Sequence, residues 1–441
     1  MKKHEQKESI YVITFVNMKV FSLTFMFFCF LSFGKIHAQN FKKIVDIDCK
    51  RSDEKDIRMV SADDGIFFET KVDRENHEVK FISSNGNVVY GLPYGEAYSS
   101  DSSMFCIASV AYGRIGINIY PRNDTRKVKT LLTTKTVVEI FDDNGLILPK
   151  DEHGKYKFTP YIKNVFLFGK TIFIILRNQM DITFFDSYFL INTDSADDIT
   201  KIDPEFPKLN DEDPPNKRAW VFIDYKRETD RLIFSREYIL RDGPYKGQHS
   251  FAVSIFNSKF DFIKKIELCA KPDNDLSLEY LTNELIWHKP SGSFLVSSYV
   301  KSATKINKSN YGFLIRSVAI DGKQNWNRYE WDEIFENYYT IKDQADFFLD
   351  YANNSLLYKF NYALVKHRYQ YDLKDGALLM KEEKSQLIID KAKDETGNAM
   401  KQEIERLMNG NLYSSYEIFP CGNKFLILFK NKLKRYSFYV N

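Results

Sequence analysis

Apolar and polar positions along this chain alternate in short runs, and the stretch Trp220–Leu268 shows the rule most clearly. Trp220–Ile223 is apolar, Tyr225–Arg231 is a charged turn, and Leu232–Phe234 is apolar again. After a Gly/Pro loop come Phe251–Phe256 and Phe262–Leu268. Four short β-type runs joined by turns predict a four-stranded antiparallel meander. The pattern recurs, loosely, about seven times, which marks a repeat architecture.

Unit one spans Ile57 to Leu92, with strands expected at Gly65–Glu69, Val79–Ile82 and Val88–Tyr90 and a tight turn at Asn85-Gly86. Unit two spans Ser103 to Lys150. Its expected strands are Ile115–Tyr120, Val137–Phe141 and Leu146–Leu148, the last two joined by a hairpin turn at Asp142–Gly145. Unit three runs from Asn164 to Asp203, unit four is the stretch described above, and unit five covers Glu284 to Trp331. Unit six covers Ala345 to about Asp390, and Tyr416–Val440 forms unit seven. The second strands are expected to begin near Gly65, Ile115, Thr171, Leu232, Phe294, Leu356 and Phe425, so the spacing grows from 50 to 69 residues. Blades of known propellers run to about 40–50 residues, so these units carry longer connections.

Runs such as Thr171–Leu176 (TIFIIL) are apolar on both faces of a strand, and such a sheet needs a neighbour on each side. Like sheets packed radially supply those neighbours and leave only short protected edges. Unit seven offers three strands. The isolated segment Phe41–Asp48 (FKKIVDID) is expected to add the fourth and close the ring. The competing arrangement is two β-sandwich domains, which also show short strands at regular spacing. One insertion, about residues 391–411, breaks the β pattern. Met400, Ile404, Leu407 and Met408 recur at helical spacing between Asn398 and Gly410, which predicts a short helix packed on the ring.

Charge changes the picture at the N-terminus. Met18-Lys19 precedes Val20–Phe33, an uncharged apolar run, and Gly34–Ala38 offers a small residue for cleavage. A positive start, a short apolar core and a small residue at the cut predict a signal peptide over residues 1–38, with Met1 or Met18 as initiator and Gln39 first in the mature chain. The apolar run is shorter than the roughly 20 residues a helix needs to cross a bilayer, so the mature chain is expected to have no transmembrane span. The whole chain carries 63 Lys and Arg against 60 Asp and Glu; without residues 1–38, 58 of each remain. A neutral mature chain gives no electrostatic reason to expect nucleic acid as a partner. Aromatics make up 15% of the residues and fit pleated, half-buried surfaces.

Candidate chemistry is sparse. Outside the signal segment the cysteines are Cys49, Cys106, Cys269 and Cys421, an even number in an oxidising compartment. If the ring closes as expected, Cys49 and Cys421 share a blade and are the first candidate for a disulfide. No CxxC and no pair of histidines at helical metal-binding spacing occurs, so neither a metal site nor a cofactor is expected. Asn192, Asp194, Asp198 and Asp203 fall at calcium-loop spacing, but Ala196 and Asp197 occupy positions that such a loop reserves for a ligand and a glycine; the stretch reads as an acidic surface loop. No GxSxG, P-loop or GxGxxG is present. Of the four tryptophans, Trp326 and Trp331 lie in a polar stretch and are the candidates for an exposed ligand-stacking surface.

On these repeats residues 41–441 resemble β-propeller proteins exported by bacteria. The resemblance is architectural, with no Trp-Asp pair closing each unit, and implies a disc with a central channel whose ligands sit on one face. The expected function is an exported, non-enzymatic binding protein of the bacterial cell envelope or exterior, with a protein or glycan partner. The alternatives are an extracellular glycan- or peptide-processing enzyme with its site at the channel, and a carbohydrate-binding surface protein.

Overall fold

Strand alternation decides the architecture. In the computed structural model, Ile172 and Ile174 pack towards one neighbouring sheet and Phe173 and Ile175 towards the other, all fully buried. The same division recurs around the chain. Ile66 and Phe68 face Leu428 and Phe438, whereas Phe67 faces Phe105; Ile233 faces Phe294, whereas Phe234 faces Phe173. Each sheet is thus sandwiched between two others, and the only closed solution is a ring. Described are residues 41–441 apart from 50–56, 72–75, 102, 147, 151, 158–159, 181–182, 210–219, 240–248, 269–277, 307–308, 338–340, 342–344, 363–364, 384–385, 390–397 and 423.

The ring is a seven-bladed β-propeller. Its inner strands are Ile57–Ala62, Ala97–Ser100, Tyr161–Phe168, Val221–Lys226, Leu278–His288, Asp346–Asp350 and Tyr413–Cys421, for blades 1 to 7 in order. Among the described residues six blades have four strands, and blade 6 adds a fifth, Gln386–Ile389. Lys42–Asp48 pairs antiparallel with Arg435–Val440, so the N-terminal strand supplies the outer strand of blade 7 as expected. The helix Asn398–Asn411 buries Met400, Ile404 and Leu407 against Ile427, Phe429 and Tyr439 of that blade. Among the described residues no helix is long and apolar enough to cross a membrane. The expected signal segment, residues 1–38, and Cys269 lie outside the described residues.

Unit two departs from the sequence-based expectation. Val137–Asp143 is a helix, not a strand. Thr136 caps it, accepting from the Glu139 amide, while the Glu139 carboxylate accepts from the Thr136 amide, a reciprocal box that starts a helix whatever the β propensity of Val137 and Val138. Gly145 stops it at φ +67°: its amide donates to the Asp142 carbonyl and the Leu146 amide to that of Phe141. The Asn-Gly pair thus ends a helix and turns no hairpin, and neither Leu146 nor Leu148 is in a strand. The inner strand of this blade, Ala97–Ser100, is short and half polar, and its apolar signal is too weak to see. Ile115 consequently belongs to the third strand, and the second begins at Met104. In blade 3 the fourth strand is Ser195–Ile202, inside the stretch read as an acidic loop.

The disulfide expectation is also corrected: Cys49 and Cys421 are both buried free thiols. Antiparallel order explains it. Cys49 follows the outer strand at the end marked by Asp48–Arg435, whereas Cys421 closes the inner strand at the hairpin with Lys424, the opposite end of the sheet. Sharing a blade does not bring the two within the roughly 4–7 Å between Cα atoms that a disulfide needs.

Candidate functional site

All inner strands run the same way along the ring, so the turn leaving each one reaches the same end of the central channel. In the sequence most of these turns are charged. Asp63 and Asp64 come from blade 1, Asp101 from blade 2, Arg227 and Asp230 from blade 4, and Lys289 from blade 5. The ring then places side chains from its two sides in contact. The Lys289 ammonium donates to Asp63 Oδ1 at 2.8 Å and to Asp224 Oδ1 at 3.2 Å. The Arg227 guanidinium reaches Asp63 Oδ2 at 3.5 Å and Asp101 Oδ2 at 3.7 Å. Asp63 therefore ties blade 1 to blades 4 and 5, and the ion pairs span this end of the channel.

Further contacts saturate the carboxylates. The Trp287 indole N–H donates to Asp224 Oδ2 at 2.9 Å. Asp101 Oδ1 accepts from the Ser103 and Met104 amides, both at 2.7 Å. Asp64 accepts from the Ser100 hydroxyl at 2.8 Å and pairs with Arg122, whose guanidinium lies 4.8 Å from the Phe81 ring centre and 5.0 Å from that of Phe105. Burial raises Asp224 above the ordinary carboxylate range, against the pull of Lys289. Burial also works against the Lys289 charge, but the Asp224 and Asp63 carboxylates outweigh it and hold the ammonium above the usual lysine value. Nearby, burial pushes the Cys421 thiol up to about 12, so it is not a nucleophile at neutral pH. His288 is buried beside Ser291, and burial lowers its ring to about 4, so it is neutral.

Beside this lattice lies a cleft of about 670 Å³ between blades 2, 3 and 4, bordered by Asp101, Ser103, Phe168, Tyr225, Arg227 and Lys259. A second cavity of about 520 Å³ adjoins it, sharing Met104, Leu167 and Gly169 and continuing over Ile119, Pro121 and Val128. The first is lined about equally by polar and apolar groups and the second mostly by apolar ones. Burial pushes the Tyr225 hydroxyl up to about 12, helped by Asp230, to which it donates at 3.1 Å.

The sequence candidates lie elsewhere. Trp326 and Trp331 are on the outer strand of blade 5, Gln324–Trp331, at the rim of the disc. Trp326 is 7% exposed, not an open platform: its indole N–H donates to the Leu373 carbonyl at 3.0 Å. Its ring covers Gly376, where a Cβ would come within 2.5 Å of it. Trp331 is half-buried and stacks near Tyr329. Asp194 pairs with Lys170 within blade 3 and with Lys129 of blade 2, and Asp203 pairs with Lys201, so these acidic positions serve the blade 3 hairpins and its seam with blade 2. Among the described residues no group of three or more His, Cys, Asp or Glu is placed to hold a metal ion. The channel residues themselves stood in the sequence as turn residues. Their shared signal is a charge just after the inner strand in blades 1, 2, 4 and 5, visible only once the units are aligned.

No protein-family model and none of the curated proteins matches this chain. Solved structures similar to it include the Dos1 propeller, 8% identical with a TM-score of 0.37, covering 91% of this chain and 95% of that one. The WD40 domain of SCAP from fission yeast is 8% identical with a TM-score of 0.31, over 91% of this chain and 98% of that one. The catalytic domain of Coprinopsis cinerea GH62 alpha-L-arabinofuranosidase is 10% identical with a TM-score of 0.27, over 62% and 93%. At these scores none of the three bears on function.

Proposed function

We propose that this propeller is an exported, non-enzymatic binding protein of the bacterial cell envelope or exterior, and that its ligand site is the cleft beside the channel lattice. One observation carries the reading: the carboxylates that converge on the channel are already engaged by Lys289, Arg227, Arg122, Trp287 and local amides. A general acid or base needs a carboxyl within reach of substrate, and a nucleophile needs an uncommitted oxygen. Here the charges hold the ring, and the open, mixed polar and apolar volume lies next to them.

The enzyme reading rests on Asp224, a largely buried carboxyl raised above its ordinary value, as a tuned acid would be. A panel of nitrophenyl glycosides and a labelled protein substrate, incubated with the wild-type chain and with D224N, decides between the two. Equal background rates are expected. Turnover by the wild type that D224N abolishes would replace the binding reading with the enzymatic one.

Export has its own test. Expressed with its natural N-terminus in a Gram-negative host, the protein is expected in the periplasm or medium, with N-terminal sequencing starting at Gln39. A cytoplasmic chain starting at Met1 or Met18 would overturn it.

A further inference from the structure

We infer that the double cavity takes an acidic-apolar peptide segment, with a carboxylate at Arg227 and Lys259 and an aliphatic side chain on the floor made by Met104, Ile119, Pro121 and Leu167. The inference rests on the binding reading above and names the ligand class.

Three observations lead to it. The first is charge. Arg227 spends Nε on Asp63 and Nη1 on Asp101 and the Leu167 carbonyl; Nη2 takes no part in these contacts. Lys259, exposed at the lip of the same cleft, has no ion-pair partner among the described residues. The facing carboxylates are committed: Asp101 to the amides of its own turn, and Asp230 to the Tyr225 hydroxyl and to the amide and hydroxyl of Ser258. What the cleft offers an incoming group is therefore cationic donors, which fit a carboxylate.

The second is the apolar half. It is aliphatic, and Lys127 and Lys129 stand on its rim. The third is the orientation of the aromatic rings. A sugar stacks on an open aromatic face, but Phe168 and Tyr225 are turned into each other, with ring centres 4.8 Å apart. An aliphatic side chain next to a carboxylate suits these walls, and a peptide offers both within a few residues.

Gly169 sits where the two cavities join, at φ +61°, and a Cβ at this position would meet nothing within 4 Å. Asn tolerates that left-handed backbone, so G169N narrows the junction without disturbing the turn. The experiment is fluorescence anisotropy with a labelled hexapeptide of alternating Glu and Leu, its Lys/Leu counterpart and its Glu/Ser counterpart. The Glu/Leu peptide is expected to bind about tenfold or more tighter than either, a difference of about 1.4 kcal/mol, and to weaken with salt. K259E and G169N are each expected to cost about tenfold while unfolding at the wild-type midpoint. Equal affinity for the three peptides, or binding unchanged in both variants, overturns the inference. Binding of oligogalacturonate with no peptide binding overturns the peptide but keeps the binding reading; cleavage of the peptide overturns both.

Discussion

Removing residues 41–48 is expected to abolish cooperative folding, whereas a chain starting at residue 41 folds. The deleted strand pairs with Arg435–Val440 through Lys42, Lys43, Val45, Asp46, Ile47 and Asp48. Those pairs stabilise by about 1 kcal/mol per hydrogen bond. Phe41 and Ile47 are buried, one against the Asn398–Asn411 helix and the other in the seam with blade 1, and each adds about 2–3 kcal/mol. The sum is of the same order as the roughly 5–15 kcal/mol that holds a typical domain together. The loss also uncovers an edge carrying Tyr436, Phe438 and Val440, all buried in the intact ring, and an apolar edge is a template for aggregation. The measurement is urea unfolding of both chains, with a synthetic peptide of residues 41–48 added in trans. Recovery of a cooperative transition with the peptide assigns the effect to the missing strand. An unchanged midpoint in the truncated chain would mean that the blade 7–blade 1 seam closes the ring without it.

How far the sequence reaches is clear from this strand and from blade 2. Phe41–Asp48 could be placed because blade 7 lacked a partner and because apolar runs buried on both faces, such as TIFIIL, leave few architectures open. The ring follows from periodicity, and periodicity is local. Blade 2 fails for a reason equally local: Thr136 and Glu139 form a capping box that overrides the β-branched residues after it, and the inner strand AYSS is too short and polar to register. The channel lattice failed for the opposite reason. Arg227 and Lys289 lie 164 and 226 residues from Asp63 in sequence and meet it only because the ring closes. No spacing rule addresses such contacts. The tryptophans show the same limit: a polar neighbourhood predicted exposure, but Trp326 is buried by a glycine fifty positions on, Gly376, which leaves its ring room to lie flat.

The second large effect belongs to the lattice itself. Lys289→Met is expected to destabilise the ring by about 2–3 kcal/mol at pH 7. Removing one partner of a buried pair costs about 3–5 kcal/mol, and the partial exposure of all three side chains, 31% for Lys289, 24% for Asp63 and 17% for Asp224, reduces that. Asp63 keeps Arg227, whereas Asp224 keeps the Trp287 and Tyr225 N–H donors but loses its cation. The pH dependence identifies the carboxylate responsible. Burial already raises Asp224, and Lys289 is the main group lowering it, so the variant raises it further. A carboxyl with a folded pKa above its unfolded value binds more protons in the native state, so stability falls as pH rises through that window. The deficit of K289M relative to wild type is therefore expected to shrink between pH 7 and pH 5, and D224N is expected to recover part of it at pH 7. Urea midpoints of the four chains at the two pH values form the cycle. A deficit that grows in acid, or one that D224N leaves untouched, would show that Lys289 acts through Asp63 alone, and the span across the channel would then rest on Asp63 with Lys289 and Arg227.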